Sequence, residues 1–219
     1  MPVHTTHPNR RPSSHQPLWL RVTHWLNAAA VLVMVTSGWR IYNASPIFGD
    51  FTFPAGITLG GWLGGALQWH FAGMWLLVLN GLAYLLLSLL TGRWARRMFP
   101  VSPRGVLRDA WLAITARLSH ADTGHYNQVQ RAAYLFAVAD LVLLVASGLV
   151  IWKSVQFPLL RDLLGGYDLA RIIHFCTMAA LVGFTILHLV MAMLVPRSLL
   201  AMLLGRPTLQ TTTSRENTP

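Results

Sequence analysis

One cysteine, Cys176, stands in a chain of 219 residues, and that scarcity closes several possibilities at once. A single thiol makes no intrachain disulfide, no cysteine-ligated iron–sulfur cluster and no zinc knuckle, and no Cys-x-x-Cys-His is present for covalent haem attachment. Cys176 is expected to be a small, buried, apolar side chain. Charge is the second scarcity. Aspartate and glutamate total 7, and charged residues make up 11% of the chain against 54% hydrophobic. A soluble domain of this size carries far more charge than that. Interior lysine and arginine are missing from four windows, at about 20–41, 69–90, 132–152 and 172–195. Each is long enough to cross a bilayer as a helix.

The net charge of +10 would suit nucleic acid if it formed one patch, but its placement argues otherwise. Arg10, Arg11 and Arg21 lie at the start of the first window. Arg93, Arg96, Arg97, Arg104, Arg108, Arg117 and Arg131 lie between or flank the second and third, and Arg197, Arg206 and Arg215 follow the fourth. Only Arg40, Lys153, Arg161 and Arg171 fall on the opposite side. By the positive-inside rule, both termini and the 91–131 segment face the cytoplasm. The basic excess is then a topology signal and an anionic-lipid contact. The predicted fold is all-α, an integral membrane four-helix bundle with cytoplasmic amino and carboxyl termini. Residues 1–17 read as a disordered tail, 18–207 as the bundle and 208–219 as a second disordered tail. His4, His7 and His15 are irregularly spaced and read as solvated. The first span has no small-residue cleavage site and reads as a retained anchor.

The fourth window, IIHFCTMAALVGFTILHLVMAMLV, holds two histidines and no charge. His174 and His188 are 14 positions apart, which returns to within about 40° of one helix face at a rise of about 21 Å. An imidazole in hydrocarbon is costly and needs a partner, so two on one stripe suggest two ligands. A lone histidine would more simply bond a neighbouring helix. Two others change that reading: His24 lies about one turn inside the first window, and His70 starts the second. Four histidines, two per membrane half, match two bis-histidine haems in a helical bundle. With the amino terminus inside, the pairs are His24–His188 in the cytoplasmic half and His70–His174 in the outer half.

Several polar residues accompany them. Arg171 precedes His174 by three positions on one helix face, placed for a haem propionate or as an interface anchor. Asn27 lines a quinone pocket or caps a neighbour's backbone. Asp140, mid-span in the third window, is a functional carboxylate or a protonated acid bonded to a carbonyl or a serine. The outer link 43–68 reads either as a loop packed over the bundle mouth or as a docking surface. Its Gly60-xxx-Gly64 and Gly61-xxx-Gly65 spacings permit close helix approach. Leu107, Trp111, Ile114 and Leu118 recur at helical spacing with Arg104, Arg108 and Arg117 outside that stripe, the pattern of an interfacial amphipathic helix. His120 and His125 read as solvent-exposed. PRSLLAMLLGRP after Val195 reads as a proline stop and a short apolar helix.

RVTHWLN, GGWLGGALQWHFAGMWLLVLNGLAYLL, YNQVQRAAYLFAV with SGLVIW, and ARIIHF with LHLVMAML form an ordered set over roughly 18–207. It resembles the bacterial di-haem cytochrome b subunits of hydrogenases, formate dehydrogenases and thiosulfate reductases, a cytochrome b561-like family. Its likeness is greatest to the branch associated with periplasmic molybdopterin oxidoreductases. That resemblance implies two haem b held by His24, His70, His174 and His188. It further implies electron exchange between the quinone pool and a periplasmic partner chain, in the bacterial inner membrane. Arg21, Asn27 and Asp140 are the candidates for the proton-accessible quinone site. Two rival readings are a stand-alone superoxide:quinone oxidoreductase and a haem-free proton-coupled transporter using the histidines and Asp140.

Overall fold

In a computed structural model, the described residues are 16–92, 102–114, 128–194 and 196–205. Four helices are long and apolar enough to cross a membrane. They are α1 (Leu18–Ala44), α2 (Leu63–Leu90), α4 (Gln128–Lys153) and α6 (Tyr167–Leu194). Among the described residues three short α-helices accompany them, α3 (Pro103–Ile114), α5 (Pro158–Leu163) and α7 (Pro196–Leu204), with one 3-10 turn at Ala55–Ile57. A 28-residue helix such as α2 is about 42 Å long, more than hydrocarbon requires, so its ends reach the interfaces. The expected tails, with His4, His7 and His15, fall almost wholly outside the described residues. So do Arg117, Leu118, His120 and His125.

The spans overrun the apolar windows that announce them. Leu63–Gln68, read above as part of a link, is the first turn and a half of α2, and His70 lies two turns inside that helix. Gly60 and Gly61 are not helix-packing glycines. They form the turn before α2 with φ of 105° and 68°, and a Cβ on Gly60 would overlap the Ala66 backbone. Close helix approach falls to Gly73 instead. A Cβ there would lie 2.8 Å from the Met34 side chain and 3.5 Å from the Ala30 carbonyl. Prolines open α3, α5 and α7, where the missing N–H is unneeded. Gly92 and Gly205, at φ 60° and 70°, end α2 and α7.

The burial pattern is that of a protein whose solvent is lipid. Among the described residues most buried positions are small or polar, such as Ala30, Ser37, Ala66, Asn80, Ser88, Asp140, Ser147 and Ala170, with Val35, Tyr42, Val150 and Leu181 the larger apolar ones. Large apolar side chains such as Leu32, Leu79, Leu86, Val142 and Leu187 face outward. Hydrocarbon makes outward leucines free, while small residues let backbones approach. Cys176 follows the same logic and departs from expectation: it is exposed, on the outer face of α6, where lipid rather than a core supplies the apolar setting.

Close backbone packing is within two hairpins, α1 on α2 and α4 on α6. Across them, side chains meet: His24 with His188, His70 with His174, Phe71 with Trp152, and Tyr42 with Phe175. Helix α3 docks on α4 through Asp109, whose carboxylate accepts from the Gln128 N–H at 2.9 Å and so caps the third span. Its Leu107 and Trp111 are exposed, one turn apart. That is the apolar stripe of an interfacial helix.

Candidate functional site

His24 on α1 and His188 on α6 face each other with ring centroids 6.0 Å apart, planes inclined 63°. His70 on α2 and His174 on α6 do the same at 6.4 Å and 65°. The two pairs stand one above the other along α6. Their spacing suits a metal between them: imidazole–metal bonds of about 2 Å on each side, plus the ring radii, come to about 6 Å. Two donors do not satisfy a bare ion, and among the described residues no group of three His, Cys, Asp or Glu is present. Two imidazoles do complete an iron that brings four equatorial nitrogens of its own. The residues present fit haem.

The His70–His174 pair carries a support that its sequence did not announce. His70 Nδ1 lies 3.1 Å from the Met34 carbonyl and 3.1 Å from Ser37 Oγ. His174 Nδ1 lies 3.1 Å from the Leu144 carbonyl and 3.0 Å from Ser147 Oγ. A carbonyl only accepts, so Nδ1 carries the proton in both rings and Nε2 keeps the lone pair. Each serine donates its own hydrogen one turn back, to Val33 at 2.6 Å and Leu143 at 2.7 Å, leaving its oxygen free to accept. Gly38 and Gly148 follow: a Cβ on Gly148 would press on His174 Cε1 at 3.3 Å, while one on Gly38 would make ordinary contact with His70 Cε1 at 3.5 Å. The signal for this was a repeat, Val-Thr-Ser-Gly at 35–38 and Val-Ala-Ser-Gly at 145–148.

The remaining candidates do not gather at one point. The Arg21 guanidinium holds the carboxyl end of α7 through the Met202 and Leu203 carbonyls, with Trp25 Nε1 adding a 3.4 Å bond to Met202. Asn27 Oδ1 accepts from Asn80 Nδ2 at 2.6 Å, and the same amide donates to the Thr23 carbonyl at 2.7 Å. Asn27 is thus tied into the α1–α2 contact. Asp140 is buried on α4, and its Oδ2 has no hydrogen-bond partner among the described residues. Arg171 donates to the Ser45 carbonyl at 2.6 Å and to Ser45 Oγ at 3.1 Å, pinning the outer loop to α6.

That loop is folded over the His70–His174 end of the bundle by aromatic rings. Trp39 and Phe53 stack at 4.8 Å, and Phe175, next to His174, meets Tyr42 at 4.8 Å and Phe48 at 5.2 Å. Asn43 clamps the Phe53 backbone from both sides, donating to its carbonyl at 2.8 Å and accepting from its N–H at 2.9 Å. The first half of the 43–68 link is therefore a loop packed over the bundle mouth.

Four membrane helices bearing two facing imidazole pairs define a membrane cytochrome of b type, with haem held by coordination alone. The prokaryotic cytochrome b561 family matches residues 15–205, and the chain belongs to that family. A relative from Azospira oryzae, named "Putative protein-methionine-sulfoxide reductase subunit YedZ1", is 60% identical over 189 residues, covering 86% of this chain and 95% of its own. No solved structure matches. The chain is a multi-pass membrane haem b protein of electron transfer.

Proposed function

We propose that His24 and His188 hold one haem b and His70 and His174 a second, and that the chain exchanges electrons between membrane quinone and an extracytoplasmic redox enzyme. The observation that carries this is the pair of facing imidazoles repeated at two levels of α6. When bound, haem with two imidazole ligands supplies one-electron transfer and leaves no iron position open to oxygen. The residues' own work is to hold the ligands. The Met34 and Leu144 carbonyls fix the His70 and His174 tautomers, Ser37 and Ser147 add a second acceptor to each, and Phe184 stacks on His188 at 13°.

Quinone turnover moves protons as well as electrons. Asp140, buried with an unsatisfied oxygen, is a group suited to carry one, and Arg21 and Asn27, on α1, are separate candidates for the quinone's own contacts. The partner is a separate chain of molybdopterin type. Support for it comes from the Azospira relative, named as a subunit of a protein-methionine-sulfoxide reductase, which this chain parallels over nearly its whole length. The haem-free transporter reading falls with membership of a cytochrome family.

Purified chain is expected to yield two haem b per polypeptide by pyridine haemochrome assay, both reducible by a quinol. One haem, or none reducible by quinol, would overturn the proposal. Orientation is tested separately. Reporter fusions after Gly92 are expected to behave as cytoplasmic and those at Phe48 as extracytoplasmic. The reverse result would exchange which haem is inner and which outer.

A further inference from the structure

The two hairpins repeat one device. In each, a serine–glycine step on the first helix, Ser37-Gly38 of α1 or Ser147-Gly148 of α4, receives the histidine of the second, His70 of α2 or His174 of α6. The serines are buried, and their partners correspond residue for residue: a carbonyl four back from the serine for its hydroxyl, a carbonyl three back for the histidine. The outer imidazoles are therefore supplied by equivalent helices under equivalent restraint. The other pair is different. Neither His24 nor His188 makes a hydrogen bond to the described residues; their ring contacts are with Trp25 and Phe184, and His188 is exposed.

We propose that Ser37 and Ser147 are twin positioning residues that make His70 and His174 the stronger-donating ligand pair, setting the outer haem at a lower reduction potential than the same ligands would give unaided. The physical reason is the shared Nδ1 proton. A hydrogen bond drawn from Nδ1–H pushes electron density towards Nε2, raises the basicity of the ligand and favours the more positively charged metal. The carbonyl alone supplies part of this. The serine oxygen, free to accept because its hydrogen is spent on the preceding turn, supplies the rest and also fixes the ring's rotation. The glycine beside it leaves room for the ring, most tightly at Gly148, where a Cβ would lie 3.3 Å from His174 Cε1. A pair without such partners holds its iron with the intrinsic strength of imidazole. The device therefore makes the two haems unequal without any charged residue.

This inference rests on the ligand assignment proposed above, and the test separates the two. The outer haem is defined as the component lost in His70→Ala. Ser37→Ala, Ser147→Ala and their combination are then taken through redox titration of the full-length, haem-loaded protein, following both components. The expected result is a positive shift of the outer component in each single variant and a larger one in the double, with the inner component unmoved. Haem retention at the outer site should weaken by roughly ten- to a hundredfold, the usual effect of losing a ligand's hydrogen-bond partner. Ser147→Thr keeps the hydroxyl and should restore the potential. If the double variant leaves both potentials where they were, or shifts both equally, the positioning role is refuted while the ligand assignment stands. If His70→Ala and His174→Ala retain every haem component, the ligand assignment fails and takes this inference with it.

Discussion

His24→Ala and His188→Ala are each expected to remove the same haem, and His70→Ala and His174→Ala the other, so that every single variant keeps about half of the b-type absorbance. The expectation follows from the geometry. The paired rings come from different hairpins and stand 6.0 and 6.4 Å apart, whereas the two histidines of α6 are separated by about 21 Å of helix rise. Loss of one axial imidazole from a non-covalent site leaves a single bond to hold the macrocycle. Combining His24→Ala with His188→Ala should cost no more haem than either alone, while His24→Ala with His70→Ala should abolish both. A second readout separates the pairs. The His70 and His174 variants also lose the Nδ1 hydrogen bonds, at a cost of about 1 kcal/mol per lost hydrogen bond, so they should lower thermal stability in detergent more than the His24 and His188 variants. Should His24→Ala and His70→Ala erase one and the same spectral component, the pairing would be wrong.

The four spans were legible because hydropathy over twenty residues is a strong signal, and the four histidines because imidazole in such a window demands a partner. What could not be read was anything fixed by a second helix. Leu63–Gln68 looked like a link because Gly64 and Gly65 are poor helix formers, yet at a membrane interface the need to satisfy every backbone group outweighs that propensity. Ser37 and Ser147 looked like ordinary serines bonding back along their own turn. The histidine that each receives is 33 and 27 residues away, and only the repeated Ser-Gly step hinted at it. Arg171 was read only from its place three residues before His174, and its partner Ser45 lies 126 positions off, beyond any local pattern. Cys176 failed for a simpler reason. A small apolar residue in a membrane bundle has two apolar environments to choose from, and burial is not implied.

Changes on the outer links are expected to slow electron exchange with the partner enzyme by an order of magnitude or more while leaving both haem spectra intact. Among the described residues, exposed apolar side chains at the His70–His174 end of the bundle include two groups. One is Phe48, Phe51 and Ile57 on the loop over the bundle mouth, and the other is Val155, Leu159 and Leu163 at and around α5. The loop is also held from beneath: Asn43 grips Phe53, and Arg171 grips Ser45. Truncating Phe51 removes its ring contacts with Tyr42 and Phe53 but leaves these bonds and the Tyr42–Phe175 and Trp39–Phe53 contacts in place. Interfaces concentrate their binding energy in a few such anchors, each worth about 2 kcal/mol or more, which corresponds to roughly thirtyfold in affinity. Phe51→Ala and Leu159→Ala are the variants of choice. Asn27→Leu makes the contrast at the other end: it removes the acceptor that Asn80 uses and should impair reduction by quinol, leaving the partner reaction alone. The measurement is the rate of haem oxidation or reduction by each partner in turn, in membranes or nanodiscs. If Phe51→Ala and Leu159→Ala lost quinol turnover while exchange with the enzyme was untouched, the quinone would react at the outer face and the proposed division between the two ends of the bundle would have to be reversed.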